Sequence, residues 1–399
     1  MAEATERVNT PISTEELERR WQAVRAAMAQ QRIDVLLMQA NNDFMGGYVK
    51  YFTDLPATNG YPVTVVFPAD DRMTVIGQGP LGLVRELPRE GDGLRRGVAR
   101  FMGTPSYACV AYTADYDGAL AANALERFAG ATIGLLGTAA ISFALVDSLR
   151  RRLSKAKFVD ASDMVDRIKA VKSEEELALI RRTAAMQDAA MEAVFAAIRP
   201  GMRDLEVAAV AEQVGHRFGS EQGLFMCASG PVGTPAVMAN RHSQNRVILA
   251  GDQFTLLIEN NGPGGFYTEI GRTCVLGKAS QEMKDEFAFV LEAQQFTLNL
   301  LKPGASCNEI WDRYNGFMRA NGKPEERRLH CHSQGYDMVE RPLVRFDETM
   351  PIQRSSVVAL HPTYVTERTY SWVCDNFLIG DNGAVQRLHR FPQQLFELG

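Results

Sequence analysis

The sequence predicts an α/β chain, α+β in its second part, built as two domains, and three observations carry that reading. The first is length: 399 residues are long for one hydrophobic core and comfortable for two. The second is rhythm. Short β-rich runs (Ile33–Met38, Pro62–Phe67, Met73–Ile76, Ala131–Leu136) alternate with helical stretches, as an α/β domain requires. The third is an internal repeat: Ile198-Arg199-Pro200-Gly201-Met202-Arg203-Asp204-Leu205-Glu206-Val207 recurs 103 residues later as Leu301-Lys302-Pro303-Gly304-Ala305-Ser306-Cys307-Asn308-Glu309-Ile310.

In both copies a long helix stops at Pro-Gly and a second follows, with a Glu in its first turns, where the helix dipole favours an anion. A β-rich stretch comes after each helix pair. The second domain is therefore expected to be a pseudo-twofold α/β unit with its site in the cleft between the halves. Its first helix has a local start signal. Ser173-Glu174-Glu175-Glu176 is a capping box, in which Ser173 accepts from first-turn amides and Glu176 reaches back. Leu177, Ile180, Ala184, Met191 and Val194 then keep helical spacing up to Arg199-Pro200-Gly201. The boundary falls just ahead of that helix, giving domains 1–165 and 166–399.

Charge and cysteines narrow the function classes. With 43 basic and 48 acidic residues the net charge is −5, and no Lys/Arg block offers a footprint for nucleic acid or an anionic membrane. A small neutral or zwitterionic substrate fits better. The six cysteines (Cys109, Cys227, Cys274, Cys307, Cys331, Cys374) lack CxxC spacing, and MAEATERVNT at the start has no apolar leader, so reduced thiols and a cytoplasmic location are expected. No apolar run approaches the ~20 residues that span a bilayer.

Several segments resemble one superfamily in order and spacing: the helix KSEEELALIRRTAAMQDAAM, CASGP followed by RVILAGD, FYTEIGRT, CHSQG with ERP after it, ALHP, and DNFLIGDNG. Over nearly the whole chain the sequence is similar to the creatinase, aminopeptidase P, prolidase and methionine aminopeptidase group. That resemblance implies an N-terminal creatinase-like domain and a C-terminal "pita-bread" domain with an internal duplication.

The peptidases of that group hold two metal ions with Asp, Asp, His, Glu and Glu. Carried over residue by residue, the first Asp falls on Ile258, with neighbouring Glu259 expected on the opposite strand face. The second falls on Glu269. His332 keeps the His, His361 replaces the first Glu, and Cys374 replaces the last, with Asp375 on the other face. One of five ligands survives, so a dinuclear site is expected to be lost.

Creatinase is the metal-free member, and its pattern also departs here. Its catalytic His position falls on Asn240, with His242 two residues on, and its two substrate-binding Glu positions fall on Gly271 and Cys374. The resemblance therefore implies a metal-independent enzyme acting on a small molecule.

Individual residues sharpen this expectation. Tyr267 and Glu269 share one strand face, where Glu269 is a base, a substrate anion or the partner of Arg272. His332 and His361 are the expected acid–base pair, with His242 as a further catalytic candidate. Tyr267, Glu340, Asn240, Cys374 and Phe52 are expected to bind substrate. Cys374 beside His361 also permits a thiolate nucleophile. His216, His330 and His389 are expected at the surface.

The favoured function is a metal-free hydrolase of a C–N bond in a small amide, amidine or cyclic amide, with no cofactor. The alternatives are a hydrolase with one divalent metal at Glu269, His332, His361 and Cys374, a lyase or decarboxylase on the same fold, and a non-catalytic binding module. A homodimer is expected, with Val49–Pro56 of one subunit approaching the other's cleft and Tyr51-Phe52 as an aromatic wall.

Overall fold

The structure, a computed structural model, describes residues 11–56, 59–89 and 91–399. The N-terminal decapeptide read for a leader lies outside them. The chain divides into two compact units, 11–169 and 170–399 among these residues.

The first unit runs through α1 (Thr14–Gln31), β1 (Val35–Ala40), α2 (Gly47–Thr53), β2 (Val63–Pro68), β3 (Met73–Gln78), β4 (Val84–Glu86) and β5 (Val98–Thr104). It continues with α3 (Ala114–Ala124), β6 (Thr132–Leu136), α4 (Phe143–Arg152), β7 (Lys157–Asp160) and α5 (Ser162–Lys169). Its strands form one mixed sheet in the order β4-β5-β3-β2-β1-β6-β7. Central β1 is buried along its whole length, which explains why Val35-Leu36-Leu37-Met38 is a continuous apolar run. Helices α3 and α4 close one core, with Leu125, Leu145 and Leu149 packed on Val35, Leu37, Ile76 and Ile133.

The second unit opens with α6 (Glu174–Ala197), α7 (Asp204–Arg217), β8 (Gly223–Pro231), β9 (Asp252–Asn261) and β10 (Tyr267–Val275). Then follow α8 (Gln281–Leu298), α9 (Cys307–Ala320), β11 (Cys331–Ser333), β12 (Glu340–Leu343), β13 (Ser356–Leu360), β14 (Thr363–Val365), β15 (Tyr370–Trp372), β16 (Asp375–Ile379), β17 (Val385–Arg387) and β18 (Phe396–Glu397).

The capping box forms as expected: Ser173 N donates to Glu176 Oε2 at 2.6 Å and Glu176 N to Ser173 Oγ at 3.2 Å. The repeat is structural too. Both Pro-Gly joints put their glycine in the left-handed region, Gly201 at φ 95° and Gly304 at φ 85°, and α7 and α9 start from them. Each half has its own sheet, β18-β10-β9-β8 and β12-β11-β13-β16-β17, and its own apolar cluster.

The two sheets are joined where the site lies. Gly271 and Cys374 form a backbone bridge, with Gly271 N donating to the Cys374 carbonyl at 3.0 Å. A Cβ on Gly271 would stand 2.1 Å from the Trp372 ring, so this crossing requires glycine. Arg272 reaches across from the other face of β10 to Asp375 at 2.8 Å, both side chains fully buried.

Candidate metal centre

Glu269 sits near the start of β10, His332 in β11, and His361 just beyond β13, where its backbone N donates to the His330 carbonyl at 2.8 Å. The first half of the duplicated unit supplies the carboxylate and the second half both imidazoles. Glu269 Oε1 lies 3.6 Å from His332 Nε2 and 3.7 Å from His361 Nε2, and all three side chains are largely or wholly buried. These separations are too long for hydrogen bonds, and Oε1 is buried without a hydrogen-bond donor among the described residues.

The tautomer of His332 makes the arrangement informative. Its Nδ1 is 3.0 Å from the Ser333 carbonyl oxygen, which can only accept, so Nδ1 carries the proton and a neutral ring turns its Nε2 electron pair toward Glu269. With that ring neutral, two electron-pair donors would face each other in a buried site. A cation between them removes the conflict, and an imidazole whose other nitrogen donates to a carbonyl is the usual supported metal ligand. One donor atom from each of Glu269, His332 and His361 lies within 4.8 Å of the others. The donor set fits a divalent cation.

The sequence reading missed Glu259. Strands β9 and β10 pair in a register that sets Glu259 directly opposite Glu269, so the two carboxyls share a face, contrary to the expectation of opposite faces. The register follows from the hairpin loop, closed by Asn261 opposite Tyr267 and by Gly262 N donating to the Phe266 carbonyl. Burial and then the charge of Glu269 push the Glu259 carboxyl well above its usual range. Burial would raise Glu269 as well, but His332, the charge of His361 and the Cys374 thiol hold it down to about 2. Burial lowers His361, against the opposing pull of Glu269.

Behind the carboxyls lies a directional chain of amides. Gln334 Nε2 donates to Glu259 Oε1 at 2.9 Å, Asn376 Nδ2 to Gln334 Oε1 at 2.8 Å, and Glu269 N to Asn376 Oδ1 at 2.6 Å. His389 Nε2 reaches the same Asn376 oxygen at 3.3 Å, and its Nδ1 stands 3.4 Å from Asp188 on α6. The Gln of the HSQG segment was the available signal, because a buried amide needs partners.

Other expected residues fall elsewhere. Cys374 is buried, its Sγ 3.9 Å from the Glu269 carbonyl oxygen and outside the converging donors; burial, then Glu269, raises its thiol well above the usual range, which removes a thiolate nucleophile. Tyr267 is buried on β10. Glu340 is held in a buried ion pair with Lys172 at 2.6 Å, and its other oxygen takes the backbone amides of Tyr336 and Asp337. These contacts turn it inward, as a structural anchor.

Asn240 and His242 are exposed around a short 3₁₀ turn and do not belong to the cluster. Phe52 and Tyr51 are buried within their own unit, Phe52 against Phe67 at 4.7 Å, so neither is an exposed aromatic wall. His216 is exposed, whereas His330 and His389 are fully buried, correcting the surface assignment. Arg272 pairs with Asp375 and not with Glu269.

A duplicated α/β unit here presents a buried carboxylate and two imidazoles that could hold a metal ion. Residues 178–386 match the family model described as metallopeptidase family M24, and residues 20–171 match the creatinase/prolidase N-terminal domain. The chain belongs to metallopeptidase family M24.

It is similar to an Xaa-Pro dipeptidase of Pyrococcus furiosus, 25% identical over 66% of this chain and 75% of the relative. It is also similar to an uncharacterized hydrolase/peptidase of Sinorhizobium fredii, 27% identical over 78% of each. Among solved structures, the X-Pro aminopeptidase from Thermotoga maritima superposes with a TM-score of 0.77 at 19% identity, covering 95% of this chain and 99% of that one. The prolidase from Pyrococcus horikoshii gives 0.74 at 19%, covering 94% and 99%. These likenesses establish the two-domain pita-bread fold.

The family overturns two expectations drawn from the sequence. A metal-free hydrolase of non-peptide amides or amidines, and the absence of any cofactor, both conflict with membership of a metallopeptidase family whose matched relatives include Xaa-Pro dipeptidases. The site gives a physical reason: His361 and Glu269 place donor atoms beside His332 that could hold an ion in spite of the replaced ligands. No helix among the described residues is long and apolar enough to cross a membrane.

Proposed function

We propose that the chain is a metal-dependent hydrolase of the C–N bond of a short peptide, with Glu269, His332 and His361 holding a divalent cation. The observation that carries this reading is the convergence of Glu269, His332 and His361, each with a donor atom within 4.8 Å of the others. The similarity to an Xaa-Pro dipeptidase supports a dipeptide substrate.

A divalent cation there would supply Lewis acidity toward a carbonyl oxygen and a water. The chain's own groups do the rest. Ser333 fixes the His332 ring through Nδ1. Asn376 fixes the Glu269 backbone. Burial and the charge of Glu269 favour a protonated Glu259, which would give its proton to the departing amine nitrogen and recover one from the attacking water, with Gln334 orienting it. Burial lowers the His361 pKa, which favours the ring with its electron pair available.

The enzyme is further proposed to act as a cytoplasmic homodimer on a small substrate, an assembly supported by the family resemblance and tested by sedimentation at micromolar concentration. The activity test is hydrolysis of dipeptides with and without C-terminal proline by protein stripped with chelator and then reloaded. Cleavage that disappears on stripping and returns with metal is expected. Full activity in the stripped protein, or none toward any dipeptide after reloading, rejects the reading.

A further inference from the structure

We propose that this centre takes one divalent ion of the nitrogen-accepting kind, zinc or iron(II), and not a pair of ions, and that Glu259 stands outside the ligand set. The inference rests on the metal-dependent reading above and is independent of the substrate.

The number of ions follows from a donor inventory around Glu269. Among the described residues one set of His, Cys, Asp and Glu donor atoms converges there, and it has three members. The neighbouring groups lie outside that set and have other contacts. Glu259 Oε1 accepts from Gln334 Nε2 at 2.9 Å. Asn376 Oδ1 accepts from the Glu269 amide. Asp375 is paired with Arg272 and also takes Gln393 Nε2 at 2.8 Å. Cys374 packs with Leu257, Tyr370 and Trp372. Two ions about 3.5–4 Å apart require groups that bridge and neutralise both, and a set with one carboxylate lacks them. One ion needs only the three donors present and leaves coordination positions open for water or substrate.

The kind of ion follows from ligand chemistry. Two imidazole nitrogens and one carboxylate suit zinc and iron(II), whereas magnesium, calcium and manganese sites are built mainly from oxygen. The Nδ1 contact of His332 with the Ser333 carbonyl is the outer support that such a nitrogen site uses.

The test is metal binding by the full chain, separate from turnover. Protein stripped with chelator is titrated with zinc and, separately, manganese, and bound metal is counted by elemental analysis after desalting. One zinc per chain is expected, with manganese at least tenfold weaker. H332A, H361A and E269Q should each weaken zinc by at least tenfold, while E259Q keeps one zinc with affinity within about threefold.

Because an alanine variant can lose its fold, cobalt(II) substitution of the unaltered protein gives a second reading: intense visible bands from a low-coordinate, nitrogen-containing site are expected. Two ions per chain, a tenfold loss in E259Q, undiminished binding in folded H332A and H361A, or a weak six-coordinate cobalt spectrum would each overturn the inference. A chain that binds one zinc yet cleaves no dipeptide rejects the proposed reaction and leaves this inference standing. Cleavage that needs two manganese ions does the reverse.

Discussion

His330 and His332 lie two residues apart and face different surroundings. His332 turns toward Glu269. His330 is fully buried and stacked on Tyr314, with ring centroids 3.7 Å apart and an interplanar angle of 11°. Burial, helped by the charge of His361, lowers its pKa to about 3. An unfolded histidine titrates near ~6.5, so the unfolded chain takes up a proton that the folded one refuses. The contribution is intact above about pH 6.5 and is lost as pH falls from there toward 3. Urea midpoints of metal-stripped protein should therefore drop between pH 7 and pH 5, and drop less in H330F, which keeps a ring on Tyr314 but cannot titrate. Equal slopes would show that other groups dominate the acid limb. For the reaction itself, H332A and H361A should lower turnover by roughly 10²–10⁴-fold, the usual effect of losing an essential imidazole, with the melting curve of the stripped protein unchanged. Wild-type rates in either variant would remove that residue from the site.

At the scale of elements, local signals were readable and registers were not. The capping box at Ser173 and both Pro-Gly joints depend on a few consecutive residues, and the structure forms each one where the sequence places it. Glu259 depends on how β9 and β10 are offset, which the loop at 262–266 decides; a shift of one residue would move its side chain to the other face. The burial of His330, His389 and Phe52 comes from distant packing and has no local signature. The same limit hid the tie between the halves, where Arg272 leaves β10 to meet Asp375 and also donates Nη1 to the Cys374 carbonyl at 2.9 Å. Removing one member of a buried pair costs up to about 3–5 kcal/mol, reduced here by Arg387, whose Nη1 also stands 3.7 Å from Asp375 Oδ1. R272M should show that loss in urea unfolding, and R272M combined with D375N a smaller one. A single variant within about 0.5 kcal/mol of wild type, the range of ordinary surface changes, would mean the pair is dispensable.

For the molecule as a whole, the decisive feature is that the donors come from both halves of the duplicated unit. Glu269 belongs to the β8–β10 sheet, whereas His332 and His361 belong to the β11–β17 side. A bound ion would therefore add a tie between two sheets that also meet through the Gly271–Cys374 bridge, the Arg272–Asp375 pair and the Glu269–Asn376 and Gln334–Glu259 hydrogen bonds. The unfolded chain separates these three residues and cannot offer them together, so metal binding adds directly to the stability of residues 170–399. At a free ion concentration one hundred times the dissociation constant, linkage gives about 2.7 kcal/mol. In a unit of this size that corresponds to roughly 5–10 °C in melting temperature. Calorimetry of stripped and zinc-loaded protein should show such an upward shift, growing with the logarithm of free zinc. H361A should abolish most of it, because two donors cannot hold the ion as three do. A loaded protein that melts with the stripped one, at any zinc concentration that leaves it soluble, would show that Glu269, His332 and His361 meet for another reason.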